Sequence, residues 1–182
     1  IKLVAAIHAE TSTGVINPIS EVGKLCKKYG AKFMVDCVTS FAGTEIKFDE
    51  WNIDYAYSGT QKCLAAPPGL SPVAISENAL NYIRNRKSPP SSWYLDLSAI
   101  SSYWGKEHVA HQTTPVNLVY ALREALTITF EEGIENKFQR HELMSKALKS
   151  GLKSLCLELP IDESIALNQL TVVKIPNGIN FL

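Results

Sequence analysis

Residues 2–36 read KLVAAIHAETSTGVINPISEVGKLCKKYGAKFMVD, and the order of patterns within them decides the fold class. Lys2 to His8 is a continuous apolar run rather than an alternating one, which predicts a strand covered on both faces. Ser12-Thr13-Gly14 marks a turn. Pro18 and Ser20 supply helix-start signals, Val22, Leu25 and Cys26 share one face with Lys24, Lys27 and Lys28 elsewhere, and Gly30 closes the helix. Lys32 to Asp36 then returns as a second buried strand. A strand, a helix and a strand joined by short links form a right-handed parallel crossover, so the chain reads as α/β.

Downstream, a short amphipathic segment around Phe48 to Trp51 precedes a third strand, Asp54 to Ser58. Ser71 to Ile75 reads as a fourth strand, whose Pro72 argues against a regular central position. Glu77 to Arg86 reads as a helix, Ser88 to Ser92 as a loop, and Asp96 to Tyr103 as a short helix. Pro115 suits the first position of a helix striped by Leu118, Val119, Leu122, Ala125, Leu126 and Thr129 and ended by Gly133. Ile134, Phe138, Met144, Leu148, Leu152 and Leu155 repeat at helical spacing in a long helix expected to bridge two domains. Leu170 to Ile175 reads as the first strand of the second. Residues 1–133 are thus expected to form part of a large domain, and 134–182 the bridging helix and the start of a small α+β domain.

The chain has 182 residues, 46% of them apolar and 20% charged, with eighteen acids balanced by eighteen bases. That balance provides no long-range field for nucleic acid or an anionic membrane, so neither is an expected partner. Cys26, Cys37, Cys63 and Cys156 lack CxxC spacing and disulfide-scaffold density, which suits reduced thiols. The cytoplasm is the expected compartment, with peroxisome and mitochondrion left open. No apolar stretch reaches transmembrane length and no signal segment opens the chain, which starts directly on strand-like residues like an internal piece of a longer protein.

Ligands of open parallel sheets bind beyond the carboxyl ends of the strands. Three successive strands deliver polar residues there: His8-Ala9-Glu10-Thr11, then Asp36-Cys37-Val38-Thr39, then Ser58 through Lys62. A lysine and an aspartate at such an edge are the two groups that pyridoxal phosphate chemistry needs, an amine to hold the aldehyde as a Schiff base and a carboxylate to keep the pyridine nitrogen protonated. Burial would lower the Lys62 amine pKa, and Asp36, directly after Phe33-Met34-Val35, would need a cationic partner. Each residue also has a plainer reading: Lys62 as a surface charge, Asp36, Thr11, Ser58 and Gln61 as turn residues, His8 as a satisfied strand-end histidine. His111 has no second ligand at metal-binding spacing, and Ser58 and Lys62 do not form an SxxK pattern.

The runs HAETSTGVINPI (8–19), FMVDCVTSFAGT (33–44), DYAYSGTQKCLAAPPGLSPV (54–73) and HQTTPVNLVYALREAL (111–126) together resemble class V aminotransferases, in particular the alanine-glyoxylate, serine-glyoxylate and serine-pyruvate group. The resemblance implies a fold type I pyridoxal phosphate transferase. It makes Lys62 the Schiff-base lysine, Asp36 the partner of the pyridine nitrogen and Val38 the apolar residue against one ring face. Thr11 and Gln61 match cofactor-contacting side chains, and Thr113 a threonine lent to the phosphate of the neighbouring subunit, so a homodimer with shared active sites is implied. Ala110 departs from the family pattern, which commonly has a tyrosine there. The implied reaction moves an amino group from a small amino acid, alanine or serine, to a 2-oxo acid, glyoxylate or pyruvate. A cysteine desulfurase or lyase of the same class, and a non-catalytic α/β binding module, are the alternatives.

Overall fold

The structure is a computed structural model that describes residues 1–180. Strand β1 (Leu3–Ile7) lies parallel to β4 (Lys32–Asp36), and β4 parallel to β5 (Tyr55–Tyr57); β6 (Val73–Ile75) closes the row antiparallel, in the order β1-β4-β5-β6. Pro72 immediately precedes β6 at this edge, where its missing N–H costs no ladder bond. Between β1 and β4 run a short hairpin, β2 (Ala9–Glu10) with β3 (Val15–Ile16), and helix α1 (Ile19–Tyr29). Gly30 ends α1 in the left-handed conformation at φ 65°, its N–H reaching the carbonyls of Cys26 and Lys27. Helices α2 (Glu77–Arg84), α3 (Leu97–Trp104), α4 (Val116–Glu132) and α5 (Ile134–Ser154) follow. Ser76 caps α2 by accepting from the Ala79 N–H, and Asp96 caps α3.

Period-two alternation sorts β4 into two faces. Phe33, Val35 and, just beyond, Cys37 turn toward α1 and are buried with Ile19, Cys26, Ile53 and Ala56. Trp51 packs against this core, and its carbonyl lies so near Gly23 that a Cβ there would come within 1.8 Å of the oxygen. Lys32 Nζ and Asp54 join at 2.9 Å, and Asp54 also accepts from the Phe33 N–H, which ties β4 to the approach of β5.

Two expectations fail in instructive ways. Strand β1 is not covered on both faces, for Leu3 and Ile7 stay exposed on the side away from α1. Leu170 to Ile175 is irregular: no strand of the described residues pairs with it, and without a partner an extended segment has no ladder to complete. Just before it, the chain is bound back to the hairpin, with Ile16 N–H donating to Ile165 O and Leu167 N–H to Gly14 O.

Candidate active site at the carboxyl edge of the sheet

Because β1, β4 and β5 are parallel, they end together, and Ile7, Asp36 and Tyr57 stand side by side in register. The alternation that buries Phe33 and Val35 puts Asp36 on the opposite, open face. There the Tyr57 hydroxyl donates to Asp36 Oδ2 at 2.8 Å and the Val38 N–H to Oδ1 at 2.8 Å. Two neutral donors thus orient the carboxylate, and half-buried Asp36 keeps part of its hydration. The carboxylate in turn pushes the Tyr57 phenol pKa up, since accepting its proton in a hydrogen bond favours the neutral phenol. Tyr57 escapes sequence reasoning, which has no strand register to place it beside Asp36. Asp36 and Tyr57 line a recess of about 330 Å³ with Met34, Glu10 and Asn17.

Lys62 stands at the tip of a turn whose base is braced from inside. Ser58, Gly59 and Thr60 are buried. Ser58 Oγ donates to Cys37 O, Thr60 Oγ1 to Pro67 O at 2.6 Å, and the Ala66 N–H to Thr60 O at 3.0 Å. Gln61 and Lys62 project from this base and are exposed, so the burial expected around the Lys62 amine is not supplied by the described residues. Among those residues Lys62 Nζ makes no hydrogen bond or ion pair, which leaves the amine available for chemistry.

Lys62 and Gln61 line a cleft of about 520 Å³ with Thr11, Thr39, Cys63 and Gln169, walled by α4 and α5 through Thr129, Glu132, Lys137, Arg140 and His141. Thr11 and Thr39 hydroxyls are hydrogen-bonded to each other, and Gln169 Nε2 donates to Thr39 O at 3.1 Å. The helix residues of this wall carry no functional signal in the sequence: Thr129 is one position of an apolar helical stripe, and Lys137, Arg140 and His141 fall between the apolar positions of the next helix.

The structure thus brings Thr11, Gln61 and Lys62 together, with Asp36 in a neighbouring recess of the same edge and half-buried Val38 two residues beyond it. Thr113 is elsewhere: exposed, in a cavity with Trp93, Tyr94, Tyr103, Ala110, His111 and Gln112. His8 turns toward the α1 side, 2% exposed and edge-on to Trp51 at 5.4 Å, and burial pushes its pKa down to about 4. It is a core histidine.

The sequence and the fold both have known relatives. The family model for aminotransferase class-V matches residues 1–177. The (S)-ureidoglycine–glyoxylate transaminase of Bacillus subtilis is 39% identical, over 98% of this chain and 47% of its own length. The alanine–glyoxylate aminotransferase of Rattus norvegicus is also 39% identical, over 96% of this chain and 43% of its own. The crystal structure of an alanine–glyoxylate aminotransferase from Nostoc sp. superposes with a TM-score of 0.95 at 42% identity, covering 97% of this chain and 47% of that one. The chain spans just under half the length of these relatives. With a strand-edge lysine and aspartate in the fold and a family match along nearly its whole length, the chain belongs to the class V aminotransferases.

Proposed function

We propose that the intact protein is a pyridoxal phosphate-dependent aminotransferase that moves the amino group of a small amino acid, alanine or serine, to glyoxylate or pyruvate. The observation that carries this reading is the free Lys62 amine at the tip of a braced turn, at the same sheet edge as a carboxylate already held in place. Glyoxylate is favoured as acceptor because the names of both relatives contain it.

The residues present fit the cofactor. Each Asp36 oxygen accepts one hydrogen bond and retains acceptor capacity for a protonated ring nitrogen. When bound, pyridoxal phosphate supplies an aldehyde that captures amines and a pyridinium that withdraws electrons from the carbon losing its proton. Lys62 would hold that aldehyde, and its amine is the group placed to take and return the proton of the substrate Cα. Asp36 would keep the ring nitrogen protonated, while Tyr57 and the Val38 N–H hold the carboxylate in position. Val38, Thr11 and Gln61 would hold the ring, and Thr113 would serve the phosphate of a neighbouring subunit in a cytoplasmic homodimer.

A desulfurase reading needs a nucleophilic thiolate. Burial pushes the Cys37 thiol up to about 11, and burial also raises that of Cys63, so both hold their protons where a nucleophile must lose its own. Borohydride reduction of the intact protein, followed by peptide mapping, tests the reading. Visible absorbance that bleaches, with the cofactor fixed on Lys62, is expected; a label on another lysine, or no cofactor, overturns it.

A further inference from the structure

Thr39, in the loop after β4, is where three parts of the Lys62 cleft meet. Its hydroxyl is hydrogen-bonded to that of Thr11, and its carbonyl accepts from Gln169 Nε2 at 3.1 Å and from Cys63 Sγ at 3.6 Å. Gln169 in turn accepts from Thr44 Oγ1 at 3.1 Å, so its carboxamide has one orientation: a carbonyl can only accept, which puts the nitrogen at Thr39 and the oxygen at Thr44. The loop is packed as closely as it is bonded. A Cβ on Gly43 would stand 2.5 Å from Cys63 Sγ and 3.4 Å from Gln169 Cδ, so the loop backbone is wedged between the Lys62 turn and the segment that carries Gln169. That segment is anchored close by, where buried Leu167 donates its N–H to Gly14 O.

The two threonines are not equivalent. Thr39 is 8% exposed, and among the described residues its hydroxyl has no partner but Thr11 Oγ1. A buried hydroxyl keeps its proton in a hydrogen bond, so Thr39 donates and Thr11 accepts. Thr11 is exposed and lines the cleft with Gln61 and Lys62. Its own proton, turned away from Thr39, is left for an acceptor in that cleft. A direction that free rotation would blur is thereby set before a ligand arrives, which removes an entropic cost of binding.

We propose that Thr39 and Gln169 are positioning residues of the cofactor site: Thr39 sets the Thr11 hydroxyl as a donor to a cofactor oxygen, and Gln169 holds Thr39 in place from the C-terminal segment. The cofactor comes from the aminotransferase reading, on which these roles rest; the chain of hydrogen bonds stands without it.

The intact protein, freed of cofactor, is titrated with pyridoxal phosphate and followed by visible absorbance, as wild type, Thr39→Val and Thr39→Ser. Thr39→Val keeps the side-chain shape and removes the donor. It is expected to weaken affinity about five- to tenfold and to move the absorption maximum of the bound cofactor, and Thr39→Ser to restore both. In a Thr11→Val background, Thr39→Val is expected to add less than about a twofold further loss, because the hydroxyl it directs is gone. Gln169→Met is expected to weaken affinity about two- to threefold alone and not at all in Thr39→Val. Unchanged affinity and spectrum in Thr39→Val, or an equal loss with and without the Thr11 hydroxyl, overturns the role of Thr39. An effect of Gln169→Met that persists in Thr39→Val overturns that of Gln169 and leaves it a packing residue. If Thr39→Val does not fold, Thr39→Ala is measured in its place against the same criteria. Borohydride trapping on Lys62 with affinity and spectrum unmoved in Thr39→Val rejects the positioning alone. No trapping in the wild type rejects the aminotransferase reading, and the positioning with it.

Discussion

The two faces of the sheet are built to different ends. On the α1 side Phe33 and Val35 are fully buried, and even the polar residue there, His8, is stripped of water. On the other side Leu3 is 48% exposed and Tyr57 37%, and Asp36 is held by directed hydrogen bonds rather than by packing. The first face earns its stability from apolar burial, which is non-directional. The second, with the turns at its edge, keeps polar groups oriented and accessible, which is what a reacting group requires. Changes on the packed face should therefore move stability, and changes at the open face and edge should move chemistry.

Lys62→Ala tests the edge most severely. Loss of the amine proposed to carry the proton should lower transamination by on the order of 10²–10⁴-fold, with the thermal midpoint little changed because Lys62 is exposed and, among the described residues, unpaired. Near wild-type turnover would break the comparison. On the packed face, Phe33→Ala should cost about 3–5 kcal/mol of stability through the cavity it leaves. The rate per folded molecule should stay within a few-fold; chemical denaturation beside active-site titration measures both.

Asp36→Asn should lower the rate by about 10²–10³-fold, since an amide cannot stabilise a protonated ring nitrogen, with a small effect on the unfolding midpoint. An unchanged rate with normally bound cofactor would return Asp36 to the status of a turn residue. His8 gives the packed face a pH signature. Its pKa is about 4 when folded against 6.5 for the exposed group, so the unfolded chain takes up the proton first. The stability associated with neutral His8 is complete above about pH 6.5 and is lost as pH falls toward 4, by about 3 kcal/mol. Urea midpoints across that range, compared with those of His8→Phe, check it; parallel profiles would show that His8 stays hydrated. The smallest effect is expected from Tyr57→Phe. It should remove about 1 kcal/mol of support for Asp36, read as a modest drop in rate without loss of stability.

Much of this was legible in advance because it is local. Gly30 as a helix end, Pro72 at an edge strand, Pro115 and Gly133 around α4, Asp36 at a strand end and Lys62 in the turn beyond one each depend on a few neighbouring residues and on backbone rules that act at short range. The failures share another cause. The partner of Asp36 lies 21 residues away in sequence, in Tyr57, and only the β4–β5 register brings the two together. Leu170–Ile175 has strand composition, but no strand among the described residues pairs with it.

By itself, then, the sequence determined the α/β class, the strand edge at which the polar groups gather, and the two residues there with the chemistry to act. Those follow from periodicity and turn residues, which a chain carries wherever it is placed. The tertiary structure decided that Asp36 is held by neutral donors, that His8 belongs to the core, and that Lys137 enters the Lys62 cleft from a helix 75 positions later in the numbering. Each of these depends on which distant surfaces meet and how much water they exclude, quantities that exist only once the chain has packed.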